Sequence, residues 1–275
     1  MACYSPWIKA GAGQSRLISC GQCIGCKLEY ARQYATRCYH ESKLYDQNCF
    51  ITLTYAVAPI SLSRRDCQLF LKRLRKRFPN ARIRYYLGGE YAPETRRPHY
   101  HACLFNFDFP DRVYFKRSGE FRLYTSEILS SLWPAGFSTV ADFSFETAAY
   151  CARYVTEKLT GDVYEHIDLE SGEVTPVERE FSLMSLRPGL GAGWVRSYSS
   201  DISDSGKIVV NGRENIAPRY YDKLLKDVDD RRYMVMKGNR FMSVAESYLE
   251  DNDNGRLEAK AAVARARRAR LVSKL

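Results

Sequence analysis

The sequence has no long apolar run, because its hydrophobic stretches are short and interrupted by charged residues. A helix that spans a membrane needs about 20 consecutive apolar residues. The amino-terminal stretch MACYSPWIKAGAG also has no apolar segment of the kind that a secretory signal contains. We therefore expect no membrane contact and no secretion, and a protein that acts in the cytoplasm.

Acidic residues are few relative to basic ones. The 275 residues include 42 Lys and Arg against 32 Asp and Glu, which gives a formal net charge of +10. Such a surplus favours an anionic partner, and nucleic acid is the simplest one. With 45% hydrophobic residues, the chain is long enough to bury a core as one large domain or two modest ones.

Histidine is also scarce, yet two of the four histidines are one residue apart. His99 and His101 lie in RPHYHACLF, a stretch typical of a β-strand. Because side chains alternate across a strand, both imidazoles would lie on one face and Tyr100 on the other. Two imidazoles would thus converge on one point.

Glu90 lies in the preceding strand candidate, ARIRYYLGGEY. If the two strands form a hairpin, Glu90 can lie opposite the histidines, although the sequence does not fix the register and Gly89 or Tyr91 could take that place. Two imidazoles and a carboxylate would suit a divalent ion with open positions for substrate oxygens. The alternative is a pair of partly exposed strand histidines without a metal, because an H-x-H pair alone is weak evidence.

The clearest helical pattern is SFETAAYCARYVTEKLTG. Tyr150 and Tyr154 are four residues apart and share one helix face, with Lys158 one turn further on. Ordinary packing is one interpretation of such a tyrosine pair. The other is catalytic, since tyrosine is a competent nucleophile when a metal polarises its target, and Lys158 could stabilise phenolate or phosphate charge.

Three stretches, FITLTY, RPHYHACLF and AAYCARYVTEKL, occur in the order and approximate spacing of the three motifs of HUH endonucleases, the rolling-circle replication initiators. Together with CGQCIGC, LKRLRKR, GEY and LWPAGFS, they resemble the replication initiators of gokushovirus-type single-stranded DNA phages, which belong to the Microviridae. The resemblance covers most of the chain and thins after about residue 200.

The resemblance implies an α+β fold with a central antiparallel sheet of about five strands flanked by helices. Mixed strand and helix patterns with at least one hairpin agree with this fold class. We expect a Cys-rich segment and helix at 1–45, an HUH endonuclease core at 46–165, and an extension with a basic terminal helix at 166–275.

The resemblance also implies site roles. His99, His101 and Glu90 match the ligands of a catalytic Mg2+ or Mn2+, Tyr150 and Tyr154 match paired nucleophiles, and Lys158 matches the basic residue that often follows. The implied reaction is attack of a tyrosine on an origin phosphate, which gives a 5'-phosphotyrosyl intermediate and a free 3'-OH. The implied partners are single-stranded origin DNA and a host helicase and polymerase, in the host bacterial cytoplasm.

Nine cysteines, an odd count in a chain of this size, favour reduced thiols over a disulfide framework. Four of them could hold a structural Zn2+: Cys3, Cys20, Cys23 and Cys26. Free thiols are the rival interpretation, because a second C-x2-C pair is missing, and iron-sulfur ligation has a similar spacing.

Two basic stretches could contact DNA phosphates, although a run of charges on a helix is usually a solvated face. The candidate DNA-binding residues are Lys72, Arg73, Arg75, Lys76, Arg77, Arg96 and Arg97. Two rivals to the nicking enzyme stay open at this stage. One is a non-catalytic, zinc-stabilised nucleic-acid-binding protein, and the other is an HUH transposase or relaxase.

Overall fold

The computed structural model describes residues 3–9, 16–92, 94–157, 165–167, 171–245 and 251–272. Two compact units make up the chain: Tyr34–Trp194, and Met1–Gln33 together with Val195–Leu275. The division into three segments that the sequence suggests stays a prediction about domains.

The elements of the described residues are, in chain order, β1 (Trp7–Lys9), β2 (Arg16–Ile18), α1 (Ile24–Ser42), β3 (Asn48–Thr54), α2 (Arg64–Arg77), β4 (Arg84–Tyr91), β5 (Pro98–Phe105), β6 (Val113–Ser118), β7 (Phe121–Thr125), α3 (Glu127–Leu132), β8 (Ser138–Asp142), α4 (Phe145–Glu157), β9 (Glu165–Ile167), β10 (Val174–Pro176), β11 (Phe181–Met184), α5 (Ala192–Tyr198), β12 (Lys207–Val210), β13 (Arg213–Ile216), α6 (Arg219–Val228), α7 (Asp230–Ala245) and α8 (Asn254–Val272). A 3-10 turn, Ser199–Asp201, follows α5.

A seven-stranded antiparallel sheet forms the centre of the Tyr34–Trp194 unit. Its strand order is β11-β4-β5-β3-β8-β7-β6. The central strands are rich in β-branched and aromatic residues and are buried along most of their length, because helices cover both faces of the sheet. The predicted α+β class with an antiparallel sheet flanked by helices is confirmed.

The sheet is wider than the roughly five strands that the resemblance implies. The hairpin β6–β7 extends one edge, in a region that the sequence indicates to be partly loop, and β11 pairs with β4 at the other edge. Both additions are formed by strands of four to six residues whose sequences carry weak strand signals.

We call the sheet face that carries the side chains of His99 and His101 the front face, and the opposite one the back face. On the back face, α2 packs through Phe70, Leu71 and Leu74, which join the main hydrophobic core. Ser63 caps α2, since its side chain accepts a hydrogen bond from the backbone N–H of Asp66.

On the front face, α4 and the second half of α1 cover the strands. Tyr34 of α1 stacks on Tyr86 of β4 with ring centroids 5.5 Å apart. The thiol of Cys151 in α4 donates to the carbonyl of His101 at 3.5 Å. This contact fixes α4 directly against the strand that carries the histidine pair.

The other unit consists of short hairpins and helices. β1 pairs with β2, and β12 pairs with β13. Tyr221 and Leu225 bury one side of α6, while Asp222 of the same helix accepts a hydrogen bond from Arg240 of α7 at 2.7 Å. Within the described ranges, no helix has the length and apolar character needed to cross a membrane.

Candidate metal centre and active site

The register of β4, β5 and β3 sets the positions of the candidate ligands. Glu90 pairs with His99 across the β4–β5 ladder, and His101 pairs with Thr52 of β3. Of the three residues that the sequence left open for the place opposite the histidines, the structure puts Glu90 there. Its side chain therefore shares the front face with both imidazoles.

The two imidazoles converge on one carboxylate oxygen. Oε1 of Glu90 lies 2.9 Å from Nε2 of His99 and 3.1 Å from Nε2 of His101. One ligand atom from each residue lies within 4.8 Å of the others. Nε2 of His101 is buried and has no well-aligned hydrogen-bond partner among the described residues. Two nitrogens and a carboxylate oxygen in this arrangement fit a divalent cation.

Both histidines are oriented through their second ring nitrogen. Nδ1 of His99 lies 3.2 Å from the carbonyl oxygen of Arg97, and Nδ1 of His101 lies 3.0 Å from Oγ1 of Thr52. Such contacts fix the ring and leave Nε2 for a metal. Phe50 also stacks on His101, with ring centroids 5.4 Å apart and planes at 13°.

Burial and mutual charge determine the ionisation of this cluster. Burial alone would raise the pKa of Glu90, but the hydrogen bonds and charges of His101 and His99 outweigh it and lower that pKa to about 2. Burial lowers the pKa of His101. Burial also opposes protonation of His99, yet the Glu90 carboxylate dominates and raises the pKa of His99. Glu90 is therefore an anion that can act as a ligand at neutral pH.

Tyr150 is the candidate nucleophile that the structure places beside the ligands. Its ring is edge-on to His101, with centroids 5.0 Å apart and planes at 89°, and it also meets Phe50 edge-on at 6.5 Å. Tyr154 belongs to α4 one turn later, with a side chain outside the described residues, and Lys158 also lies outside them. The roles of all three stay predictions.

Two polar residues near the cluster have no signal in the sequence. Thr52 touches His101, as described above. Glu180, only 1% exposed, accepts a hydrogen bond from the backbone N–H of Tyr91 at 2.9 Å, and its negative charge contributes to the raised pKa of His99. Glu180 precedes β11, far along the chain in a stretch whose composition indicates a loop, so no local pattern connects it with His99.

The candidate DNA-binding residues fall into two groups. Those of α2 belong to the helix on the back face, opposite the histidine side chains; Arg73 there donates to the carbonyl of Leu132 at 2.8 Å, and Arg75 lies over the ring of Tyr85. Arg96 and Arg97 belong to the β4–β5 loop, directly before the strand of His99, and both are exposed. By position, the second group is the one near the candidate site.

The four cysteines at the amino-terminal end come together. The sulfurs of Cys3, Cys20, Cys23 and Cys26 lie within 4.8 Å of one another. The sulfur of Cys20 accepts backbone hydrogen bonds from Gln22 at 3.4 Å and Cys23 at 3.2 Å. The five other cysteines, Cys38, Cys49, Cys67, Cys103 and Cys151, are buried in hydrophobic surroundings, as their apolar sequence patterns predict.

Comparison with known proteins connects this geometry with a family. A family model for replication-associated proteins of the ORF2 type matches residues 48–159, the stretch that holds the ligand triad and the tyrosines. The replication-associated protein VP4 of Bdellovibrio phage phiMH2K is 33% identical over 228 residues, which cover 78% of this chain and 69% of that protein. The chain belongs to the Microviridae-type family of phage replication-associated proteins.

Two further relatives carry similar names. The replication-associated protein ORF2 of Spiroplasma virus 4 is 27% identical over 227 residues, covering 76% of this chain and 68% of that protein. The replication-associated protein ORF4 of Chlamydia phage 1 is 26% identical, and the match covers 53% of its length. No solved structure matches the chain. Membership in this family of replication-associated proteins supports a role in the initiation of phage replication.

Proposed function

We propose that this family member is a site-specific DNA nicking and joining enzyme that initiates rolling-circle replication. The observation that carries the proposal is the contact between Tyr150 and His101, because His101 also faces Glu90 and His99. A tyrosine beside a ligand triad is the minimum that phosphoryl transfer to a tyrosine requires. The substrate is single-stranded origin DNA, and the site of action is the host cell.

His99, His101 and Glu90 would hold Mg2+ or Mn2+. When bound, the ion would act as a Lewis acid on the scissile phosphate and offset the charge that develops there. The protein would contribute orientation: Thr52 and the carbonyl of Arg97 hold the two imidazoles with Nε2 directed at Glu90.

Tyr150 would act as a nucleophile. Its phenolic oxygen would attack the phosphorus, the new bond would join tyrosine to the 5' side of the nick, and the bond from phosphorus to the 3' oxygen would break. The phenolic proton would pass to that 3' oxygen, which leaves as a 3'-OH for a host polymerase, with strand separation by a host helicase. Tyr154 would cleave the regenerated origin, and the 3'-OH released by that cleavage would close the circle at the first linkage. Lys158 would stabilise the developing phosphate charge.

A covalent-adduct assay tests the proposal. Oligonucleotides tiled along the genome that encodes the chain are incubated with the protein and Mn2+, and the products are separated under denaturing conditions. We expect one region of sequence to give a protein-DNA adduct and a fragment with a free 3'-OH, and we expect both to vanish with a chelator. Binding to single-stranded DNA without any adduct, over the full set of oligonucleotides and both metals, would contradict the enzyme.

The second candidate function is a zinc-stabilised module that binds nucleic acid without catalysis, and the cysteine cluster favours it. Burial would raise the pKa of Cys23, but the N–H of Tyr4 and the neighbouring groups outweigh it and lower that pKa to about 6. Gly21, with φ of 77°, allows the tight turn that brings the backbone N–H groups of Gln22 and Cys23 to the sulfur of Cys20. A thiolate-rich cluster with backbone N–H donors suits tetrahedral Zn2+.

Elemental analysis of the purified chain tests the zinc site. We expect about one Zn2+ per chain, its loss in Cys23→Ser, and its retention in Cys67→Ala, since Cys67 lies in the hydrophobic core. A normally folded protein without zinc would contradict the site. Zinc at the cysteines together with a failed adduct assay would favour the non-catalytic module.

A further inference from the structure

The hairpin β6–β7 exposes an unusual number of aromatic side chains. Every residue of β6 is exposed. Tyr114 is 59% exposed, Phe115 46% and Phe121 40%, and Phe137, just before β8, is 51% exposed. The rings of Phe115 and Phe137 contact each other with centroids 5.5 Å apart. Large aromatic rings on a surface that do not serve the core indicate a binding function.

The same hairpin carries a surplus of positive charge. Lys116, Arg117 and Arg122 are exposed, and Glu120 is the single acidic residue between Val113 and Thr125. In the part of the chain that the structure describes, none of the three cations forms an ion pair with a carboxylate. Exposed aromatic rings between unpaired cations are the chemical complement of a single-stranded nucleic acid, because bases stack on the rings and phosphates attract the charges.

A line of contacts leads from the metal ligands to this hairpin. Thr54 pairs with His99 across the β3–β5 ladder. Both the backbone N–H and the hydroxyl of Thr54 donate to the carbonyl of Phe137 at 2.9 Å. Phe137 in turn contacts Phe115. β8 is two strands away from β5, about 10 Å across the sheet, which a few nucleotides of a strand can cover.

Strand register places Phe137 on the same sheet face as the ligands. His101 pairs with Thr52, and Thr52 pairs with Thr139, so these three side chains share the front face. Phe137 lies two residues before Thr139, and alternation along the strand puts it on that face as well.

We propose that the hairpin β6–β7 and Phe137 form a binding platform for single-stranded DNA, which takes up the bases next to the scissile phosphate by stacking on Phe115 and Phe137. This inference rests on the proposed function, because it assumes that the ligand triad marks the scissile phosphate. Lys116, Arg117 and Arg122 bind the phosphates of the same segment.

The exposed edge of β6 is poorly suited to pairing with a strand of another chain. A bulge shifts the register between Tyr114 and Lys116, and two cations follow on that edge. Bulges and edge lysines are devices that oppose edge-to-edge pairing of sheets. Of the partners that an open hairpin can take, the charges and rings therefore favour nucleic acid.

The test measures equilibrium binding of the full chain to a labelled oligothymidine of about 30 nucleotides in the presence of a chelator, so that cleavage plays no part. We expect Phe115→Ala and Phe137→Ala each to weaken binding roughly fivefold or more, as loss of a base-stacking ring does. Phe137→Tyr keeps an aromatic face and should retain wild-type affinity. Phe241→Ala, a change at a 69% exposed aromatic residue of α7, is the matched control and should bind normally.

The charges are tested in the same assay. A triple change of Lys116, Arg117 and Arg122 to Gln should lower the slope of log affinity against log salt by roughly 2. The corresponding triple change of exposed lysines in the other unit, Lys223, Lys226 and Lys237, is the control for net charge.

Three results would overturn the platform: unchanged affinity of both alanine variants, equal weakening for a duplex of the same length, or a loss of affinity that accompanies a change from dimer to monomer. Circular dichroism of each variant checks that it is folded. Failure of the proposed function is distinguishable, because it removes the covalent adduct at saturating DNA and leaves this metal-free binding difference intact.

Discussion

The ring of Tyr150 is edge-on to the imidazole of His101, with centroids 5.0 Å apart and planes at 89°. The two residues belong to different elements, α4 and β5, whose contact is fixed by the thiol of Cys151 on the carbonyl of His101. Because Nε2 of His101 also lies 3.1 Å from Glu90, candidate nucleophile and candidate ligands form one cluster. The position of one tyrosine on the helix thus gives the histidine pair a chemical context.

Tyr150→Phe should abolish adduct formation while leaving the fold and metal affinity intact. The substitution removes the phenolic oxygen and keeps the ring that packs on His101 and Phe50. We expect a fall of roughly a thousandfold or more in cleavage rate if Tyr150 acts first. The measurement is single-turnover cleavage of the origin oligonucleotide, and Tyr198→Phe, at a 44% exposed tyrosine outside the site, is the control.

Comparison with Tyr154→Phe tells how the tyrosines share the work. Full cleavage by each single variant with none in the double variant would mean that the two are interchangeable. Full cleavage in the double variant would eliminate both as nucleophiles.

Thr52→Val should weaken binding of Mn2+ without unfolding the protein. Valine matches threonine in shape and removes the hydroxyl that lies 3.0 Å from Nδ1 of His101. Loss of such an orienting partner lowers metal affinity by about 10- to 100-fold. Titration calorimetry with Mn2+ measures the change. Thr54→Val on the same strand is a matched control, since the hydroxyl of Thr54 contacts the carbonyl of Phe137 and not an imidazole. Equal affinities for the two variants would show that Thr52 does not orient the ligand.

Tyr100→Phe should destabilise the attachment of α2 to the back face. The hydroxyl of Tyr100 accepts a hydrogen bond from the backbone N–H of Ser63 at 2.8 Å and lies 2.9 Å from the hydroxyl of Tyr55. Phenylalanine would leave the N–H without its partner, at a cost of about 1–3 kcal/mol. Denaturant unfolding measures the loss, and Tyr114→Phe, at an exposed tyrosine, should change stability by less than about 0.5 kcal/mol. A Tyr100→Phe variant as stable as the wild type would contradict the role.

Periodicity carried the prediction of the ligand pair, and turn geometry limited it. Alternation along β5 is a local property, so the common face of His99 and His101 follows from the sequence. The partner of that pair depends on how the β4–β5 loop closes. Here Ala92 and Arg97 are joined by a backbone hydrogen bond of 3.0 Å, and Arg96 adopts a φ of 54°. Glycine or asparagine usually marks such a left-handed position, and an arginine gives no such signal.

The hairpin β6–β7 could not be predicted for a different reason. Strand patterns in a sequence arise when one face is buried and the other is wet, and β6 is exposed along its whole length. Its bulge at Phe115 further interrupts the alternation. Glu180 was missed because its position beside His99 depends on pairing between β11 and β4, a contact between distant parts of the chain.

Stability should fall in mild acid because of His40. This residue is 2% exposed and stacks on Trp194 with centroids 3.7 Å apart. Burial, assisted by the charge of Lys43, lowers the pKa of His40 to about 4, below its ordinary value of 6.5. The unfolded chain therefore takes up a proton that the folded chain excludes, so this contribution is complete above pH 6.5 and is lost as the pH falls towards 4. We expect a loss of about 2 kcal/mol between pH 7 and pH 5, and a flatter profile for His40→Phe. Parallel profiles of the free energy of unfolding for wild type and variant would remove His40 as the cause.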